Sequence, residues 1–279
     1  MSAAPSPSAR SPFAGCAVLI IALLVMVFLV VFSTLTLFRQ YDEIAKFTSE
    51  RPKPVEVSPL EDREELLVSL AERLEGFRHQ LTQPGPTSLE LTTEEINLCI
   101  AAFEPLKELR STFRVREILP DGRFLIEISF QLNGKPRLSK PGESGWFQSD
   151  PRFLNGTLIA KPTLLKHEIA LQIESIDVPN AKVPAEFIGQ MSPYRITERY
   201  LTDPVIGPAM AAVNGLSTRQ GVLVLSRTPG QSRTDEISNS QVDQSSGWFF
   251  TVLGVAAVLF LLFAALVVIL AQRKKSRLP

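Results

Sequence analysis

Residues 123–132 read Arg-Phe-Leu-Ile-Glu-Ile-Ser-Phe-Gln-Leu, and their period decides the fold. Phe124, Ile126, Ile128, Phe130 and Leu132 fall on one face, opposite Arg123, Glu127, Ser129 and Gln131. That alternation marks a strand with one buried side. Just before it, Pro120-Asp121-Gly122 has the chemistry of a tight turn, so residues 112–119 and 123–132 are expected to pair as a hairpin. Residues 158–160 and 164–176 give further strands, the second alternating Ile169, Leu171 and Ile173 against Glu168, Gln172 and Glu174. A last strand covers residues 222–225.

Upstream the period changes to that of a helix. Ser58-Pro59-Leu60-Glu61 has the parts of a helix start, followed by Leu66, Leu67, Leu70, Leu74, Phe77 and Leu81 at helical spacing. Thr92-Thr93-Glu94-Glu95 is a capping box ahead of a helix with Ile96, Cys99, Ile100 and Phe103 on one face. Short helices are expected through Phe187 and Ile188, and from Asp203-Pro204 to about Asn214-Gly215. The predicted class is α+β: a largely antiparallel curved sheet with flanking helices.

This domain lies between two apolar runs. Residues 14–38 and 248–271 carry no charge over 25 and 24 positions. At ~1.5 Å per residue the first run reaches about 37 Å, against a hydrocarbon core of about 30 Å. Trp248, Phe249 and Phe250 open the second run, where aromatics suit the membrane interface. The first run is too long for the core of a signal peptide and lacks a small-residue cleavage site after it, so an uncleaved anchor is expected. Arg273, Lys274, Lys275 and Arg277 form a basic tail without acids, which favours a cytoplasmic carboxyl terminus and, with two spans, a cytoplasmic amino terminus. The expected order is a cytoplasmic tail (1–13), a span (14–38) and a juxtamembrane helix extension with a Pro-rich linker (39–57). An extracytoplasmic domain (58–228), a polar linker (229–247), a second span (248–271) and a basic cytoplasmic tail (272–279) follow. The expected localisation is the cell membrane.

Charge narrows the function classes. The whole chain is neutral, with 29 basic and 29 acidic residues; Arg10 and the four tail residues set aside, the part between the spans has a net charge of −5. That is a poor surface for nucleic acid, which selects a basic stripe. No Gly-rich phosphate loop, His-Glu-x-x-His, Gly-x-Ser-x-Gly or Cys-x-x-Cys occurs, so neither a cofactor, a metal nor catalysis is expected. Cys16 lies in the first span and Cys99 on an apolar helix face, so they do not pair, and Cys99 reads as core. His79 and His167 have no ligand spacing around them.

Two features stay open between a structural and a functional reading. Asn155-Gly156-Thr157 fits a glycosylation acceptor, but residues 152–156 also suit a turn in which glycine supplies an unusual backbone angle. Arg152 is a candidate contact for an anionic headgroup, or else half of a structural salt bridge.

The order of an N-terminal span, Thr-Thr-Glu-Glu-Ile-Asn at residues 92–97, amphipathic strands, Phe-Leu-Asn-Gly at 153–156 and Gly-Val-Leu-Val-Leu at 221–225 resembles YpmS-like membrane-anchored extracytoplasmic proteins, over residues 81–225. The second span departs from their single-anchor pattern. The resemblance implies a fold like the tubular lipid-binding domains, with a curved sheet around an apolar groove. Such a groove would be lined by Phe124, Ile126, Ile128, Phe130, Ile169, Leu171 and Ile173, with membrane lipids as the partner. The alternative is an envelope scaffold or protein-partner-binding domain with a filled core. An open groove of several hundred Å³ beside these residues would favour the first.

Overall fold

In a computed structural model, residues 12–165 and 168–231 and Val255 are described. The chain divides into two units, Glu43–Ser245 and a second made of Met1–Asp42 with Ser246–Pro279. The second span, residues 248–271, lies outside the described residues apart from Val255, as do His167, the tail at 272–279 and nearly all of the polar linker.

Helix α1 runs Pro12–Lys46. Its part from Ala22 onward is long and apolar enough to cross a membrane, and none of it is buried within the protein. Ile20, Leu24, Phe28 and Phe32 all face outward. The two hydroxyls here bond back to the helix, Thr34 Oγ1 to Val30 O at 2.7 Å and Thr36 Oγ1 to Phe32 O at 2.9 Å. A hydroxyl satisfied by its own backbone costs little in an apolar surrounding.

The unit Glu43–Ser245 is α+β, as expected. It contains α2 (Glu64–Gln80), β1 (Thr87–Thr92), α3 (Thr93–Ala102), β2 (Phe113–Ile118), β3 (Phe124–Leu138), β4 (Phe147–Leu165) and β5 (Glu168–Val178). Then come β6 (Ala181–Lys182), α4 (Ala185–Met191), β7 (Tyr194–Arg195), α5 (Ile206–Ala212), β8 (Gly215–Arg219) and β9 (Val222–Arg227). The larger sheet has the order β2-β3-β4-β5-β6, with β7 also on β5, and its pairs are antiparallel. Register shifts at Val115/Glu117, Asn133/Pro136 and Ile159/Ala160 interrupt the ladders. Such bulges bend a sheet and increase its twist. A smaller sheet, β1-β9-β8, shares the same core: Leu89, Leu91, Leu223 and Leu225 join Leu70 and Phe77 of α2, Leu98 of α3 and Ile126 of β3.

The expected hairpin is present. Gly122 at φ +87° donates to Leu119 O at 2.9 Å, and Arg123 N bonds Asp121 Oδ1 at 3.1 Å. The capping box is also present: Glu95 N bonds Thr92 Oγ1 at 3.2 Å while Thr92 N bonds Glu95 Oε2 at 2.8 Å.

Several expectations need correcting. Ser58-Pro59-Leu60-Glu61 does not start α2, which begins at Glu64 without a side-chain cap. Val55 N bonds Ser111 O at 2.9 Å and Glu56 pairs with Arg114 at 2.5 Å, which holds the preceding chain beside β2. Within the stretch expected as linker, Phe47 joins the core and Val55 is buried, while residues 49–54 between them are exposed. Residues 164–165 belong to β4, and residues 152–156 form the middle of that strand rather than a turn. Gly156 keeps an ordinary backbone angle; its need is room, since a Cβ there would lie 2.2 Å from Asp177 O on β5. Glu168, expected on a solvent face, is buried against Arg195 of β7. The strands β1 and β8 were not expected at all.

Candidate functional site

The seven expected groove residues come together, but inside a packed core. On β3, Phe124, Ile126 and Ile128 are buried, Ile126 completely; on β5, Leu171 and Ile173 are buried. Register places Ile126 opposite Leu158 and Phe124 opposite Ala160, and Ala160 in turn opposite Ile173. Cross-strand partners share a face, so these side chains fill one layer. Phe130 and Ile169 are half-buried at its border, where the Phe130 ring stacks on Tyr194 at 5.2 Å between centroids. Parity along a strand identifies the inward face correctly here, but not whether that face is covered.

Arg152 is engaged as well. Its Nε donates to Thr48 Oγ1 at 2.7 Å, and Nη2 donates to Thr48 O at 2.7 Å and Ala45 O at 3.1 Å. Guanidinium donors on the last carbonyls of a helix satisfy orphan acceptors and complement its dipole. Glu50 stands 4.0 Å away and is largely exposed, so the carbonyls rather than an ion pair define this contact. Next to it, Asn155 Nδ2 donates to Ser49 Oγ at 2.6 Å and Arg51 O at 3.0 Å. Its Oδ1 accepts from Lys53 N at 3.0 Å and Ser129 Oγ at 2.8 Å. Ser49 and Phe153 also form a β-bridge. Arg152 and Asn155 thus clamp residues 45–53 onto β4.

The remaining motif, residues 92–97, is accounted for by structure too. Burial opposes charge on Glu95, but bonds from Thr92 N–H, Arg73 and the Thr92 hydroxyl outweigh it and lower its pKa below the usual 4.5. Asn97 docks α3 on β2, with Nδ2 donating to Val115 O at 2.7 Å and Oδ1 accepting from Val115 N at 3.0 Å. Burial pushes the Cys99 thiol up to about 12, the wrong direction for a nucleophile.

An open cleft of about 590 Å³ is lined by Glu108, Pro193, Tyr194, Arg195, Glu198 and Arg199, none of them an expected groove residue. Its charges are committed to one another. Arg195 holds both oxygens of Glu168 through Nε and Nη2, and Nη1 bonds Glu198 at 2.7 Å; Arg199 pairs with Glu108. Burial raises the Tyr194 pKa, with only partial offset from Arg199. Neither a spare anion site nor an activated acid or base results. Among the described residues, no His, Cys, Asp and Glu cluster is placed to hold a metal.

Sequence reasoning passed over the tip of the β3–β4 hairpin. Leu138, Trp146 and Phe147 are 71%, 86% and 69% exposed there, around the polar stretch 139–145. The available signal was three large apolar residues flanking a Gly- and Pro-containing loop, beyond the reach of the neighbouring strands.

Compared with known proteins, the chain matches no family model, no curated protein and no solved structure.

Proposed function

We propose that this chain is a non-enzymatic two-pass membrane protein, spanning at residues 14–38 and 248–271 with both termini cytoplasmic. Its extracytoplasmic domain works through its surface, as an envelope scaffold or partner-binding module. The observation that carries this reading is the filled layer at Phe124, Ile126, Ile128, Leu171 and Ile173. A domain enclosing a lipid or another amphiphile needs unfilled apolar space at those side chains. A long apolar helix with self-satisfied hydroxyls supports the first span. The net charge of −5 between the spans argues against a nucleic-acid partner.

The test is photocrosslinking of the full chain in membranes containing lipids with a diazirine on the acyl chain, followed by peptide mapping. Labels are expected in residues 14–38 and 248–271 and absent from residues 124–130 and 169–173. Labelled Ile126, Ile128 or Leu171 would restore the groove and end the surface reading.

A further inference from the structure

The β3–β4 hairpin outruns the rest of its sheet. β2 follows β3 as far as Phe113–Ile128, and β5 follows β4 from Thr157 to Leu165, whereas β3 and β4 stay paired out to Leu138–Phe147. The register shift at Asn133/Pro136 marks where the two-stranded arm begins. At its end Leu138 and Phe147 form a cross-strand pair, with Trp146 beside them. A two-stranded ribbon gains nothing in water from placing a Trp, a Phe and a Leu at its most exposed point.

We propose that this tip seats in the interfacial layer of the bilayer that holds the chain's own anchor. The inference rests on reading residues 14–38 as a span. Trp and Phe carried on a polar loop suit the zone where headgroups meet acyl chains. Part of the arm's polar surface is satisfied internally, although Ser139 Oγ is buried without a hydrogen-bond partner. Ser139 N bonds Trp146 O at 3.2 Å and Glu143 N bonds Lys140 O at 3.0 Å. Three of its charges are paired, since Arg137 bonds Asp150 through Nε at 3.0 Å and Glu143 through Nη1 at 2.7 Å. The Arg137 bond, helped by Lys140 N–H, holds the Glu143 carboxyl down at about 2, so the pair stays ionised at neutral pH. Lys140 is exposed on the loop, with the sign that meets anionic headgroups.

A second copy adding a strand to the arm is disfavoured, because Pro136 and Pro151 remove a donor from each strand. The tether to the span is short along the chain: Phe38 and Ser49 are eleven residues apart, and Ser49 meets Phe153, six residues along β4 from Phe147.

The test uses the full chain with Trp248→Phe, which leaves Trp146 as the single tryptophan. The chain is reconstituted in vesicles of phosphatidylcholine with phosphatidylglycerol, and Trp146 emission is read with lipids brominated near the headgroup and with aqueous acrylamide. The expected result is blue-shifted emission, quenching by the brominated lipid and loss of quenching by acrylamide. Leu138→Ser with Phe147→Ser should reverse all three while leaving thermal unfolding unchanged. Acrylamide-quenched, bromine-insensitive Trp146 in a chain that resists carbonate extraction would overturn the tip assignment alone. A chain released by carbonate would remove the anchor reading and the tip proposal with it.

Discussion

The root of the larger sheet and the arm that leaves it are made from the same two strands, yet they treat apolar side chains in opposite ways. At the root, β3 and β4 are flanked by β2 and β5, and Ile126, Ile128, Leu154 and Leu158 are sealed from water. Along the arm no neighbouring strand follows among the described residues, and Leu138, Trp146 and Phe147 stand in the open. Apolar residues in a strand therefore mean core where helices and a second sheet cover them, and contact surface where nothing does. The change falls at the bulge Asn133/Pro136, where close backbone approach leaves Gly134 no room for a Cβ, which would sit 2.3 Å from Asp150 O.

If the root is solid, the largest effect comes from emptying it. Ile126→Ala should cost about 2–5 kcal/mol, from lost transfer energy and an unfilled cavity, and chemical denaturation of the full chain in detergent would measure it. An open groove would instead tolerate the change. Asn97→Ala leaves the Val115 N–H and C=O without their partner. The same assay should show a loss of about 1–3 kcal/mol.

Acid should weaken the helical support of the root. Glu95 is held below 4.5 in the folded state, so its contribution is fully present above about 4.5 and is lost as pH falls through the lower folded value. Glu95→Gln should therefore flatten the acid limb of Tm against pH while lowering Tm at neutral pH. The smallest effect belongs to the tip. Trp146→Ser should change stability by less than about 0.5 kcal/mol in detergent, since the side chain is almost wholly exposed. A larger loss would mean that the tip is packed and that the comparison fails.

Much of the root was legible in the sequence because its signals are local. The alternation at 124–132, the Asp121-Gly122 turn, the Thr92 capping box and the strand at 222–225, which β9 extends to Arg227, each depend on neighbours a few residues away. The length of β4 was hidden because Pro151, Gly156, Lys161 and Pro162 break its alternation, and Gly156 reads as a turn until Asp177 is seen beside it. Ser58 has the chemistry of a cap, but the pairing of residues 55–56 with residues 111–114 decides where the helix starts. Both faces near the start of β5 are covered, so Glu168 and Ala170 are buried although they lie out of phase with Leu171 and Ile173. The candidate groove shows the same limit: alternation places those residues on one inward face, and what covers that face is a long-range property. The exposed tip was invisible for the complementary reason, since a strand pattern does not report where its neighbours end.

Amide hydrogen exchange of the full chain, with and without a bilayer, tests the division between root and arm most directly. In detergent, amides in residues 124–132 and 154–165 should exchange at the slowest, global rate, and those in residues 135–149 far faster. Transfer to vesicles should leave the root unchanged and slow the arm. Fast exchange in residues 124–130 and 169–173 that slows when an amphiphile is added would contradict the account, because it would place the ligand where the structure has a packed core.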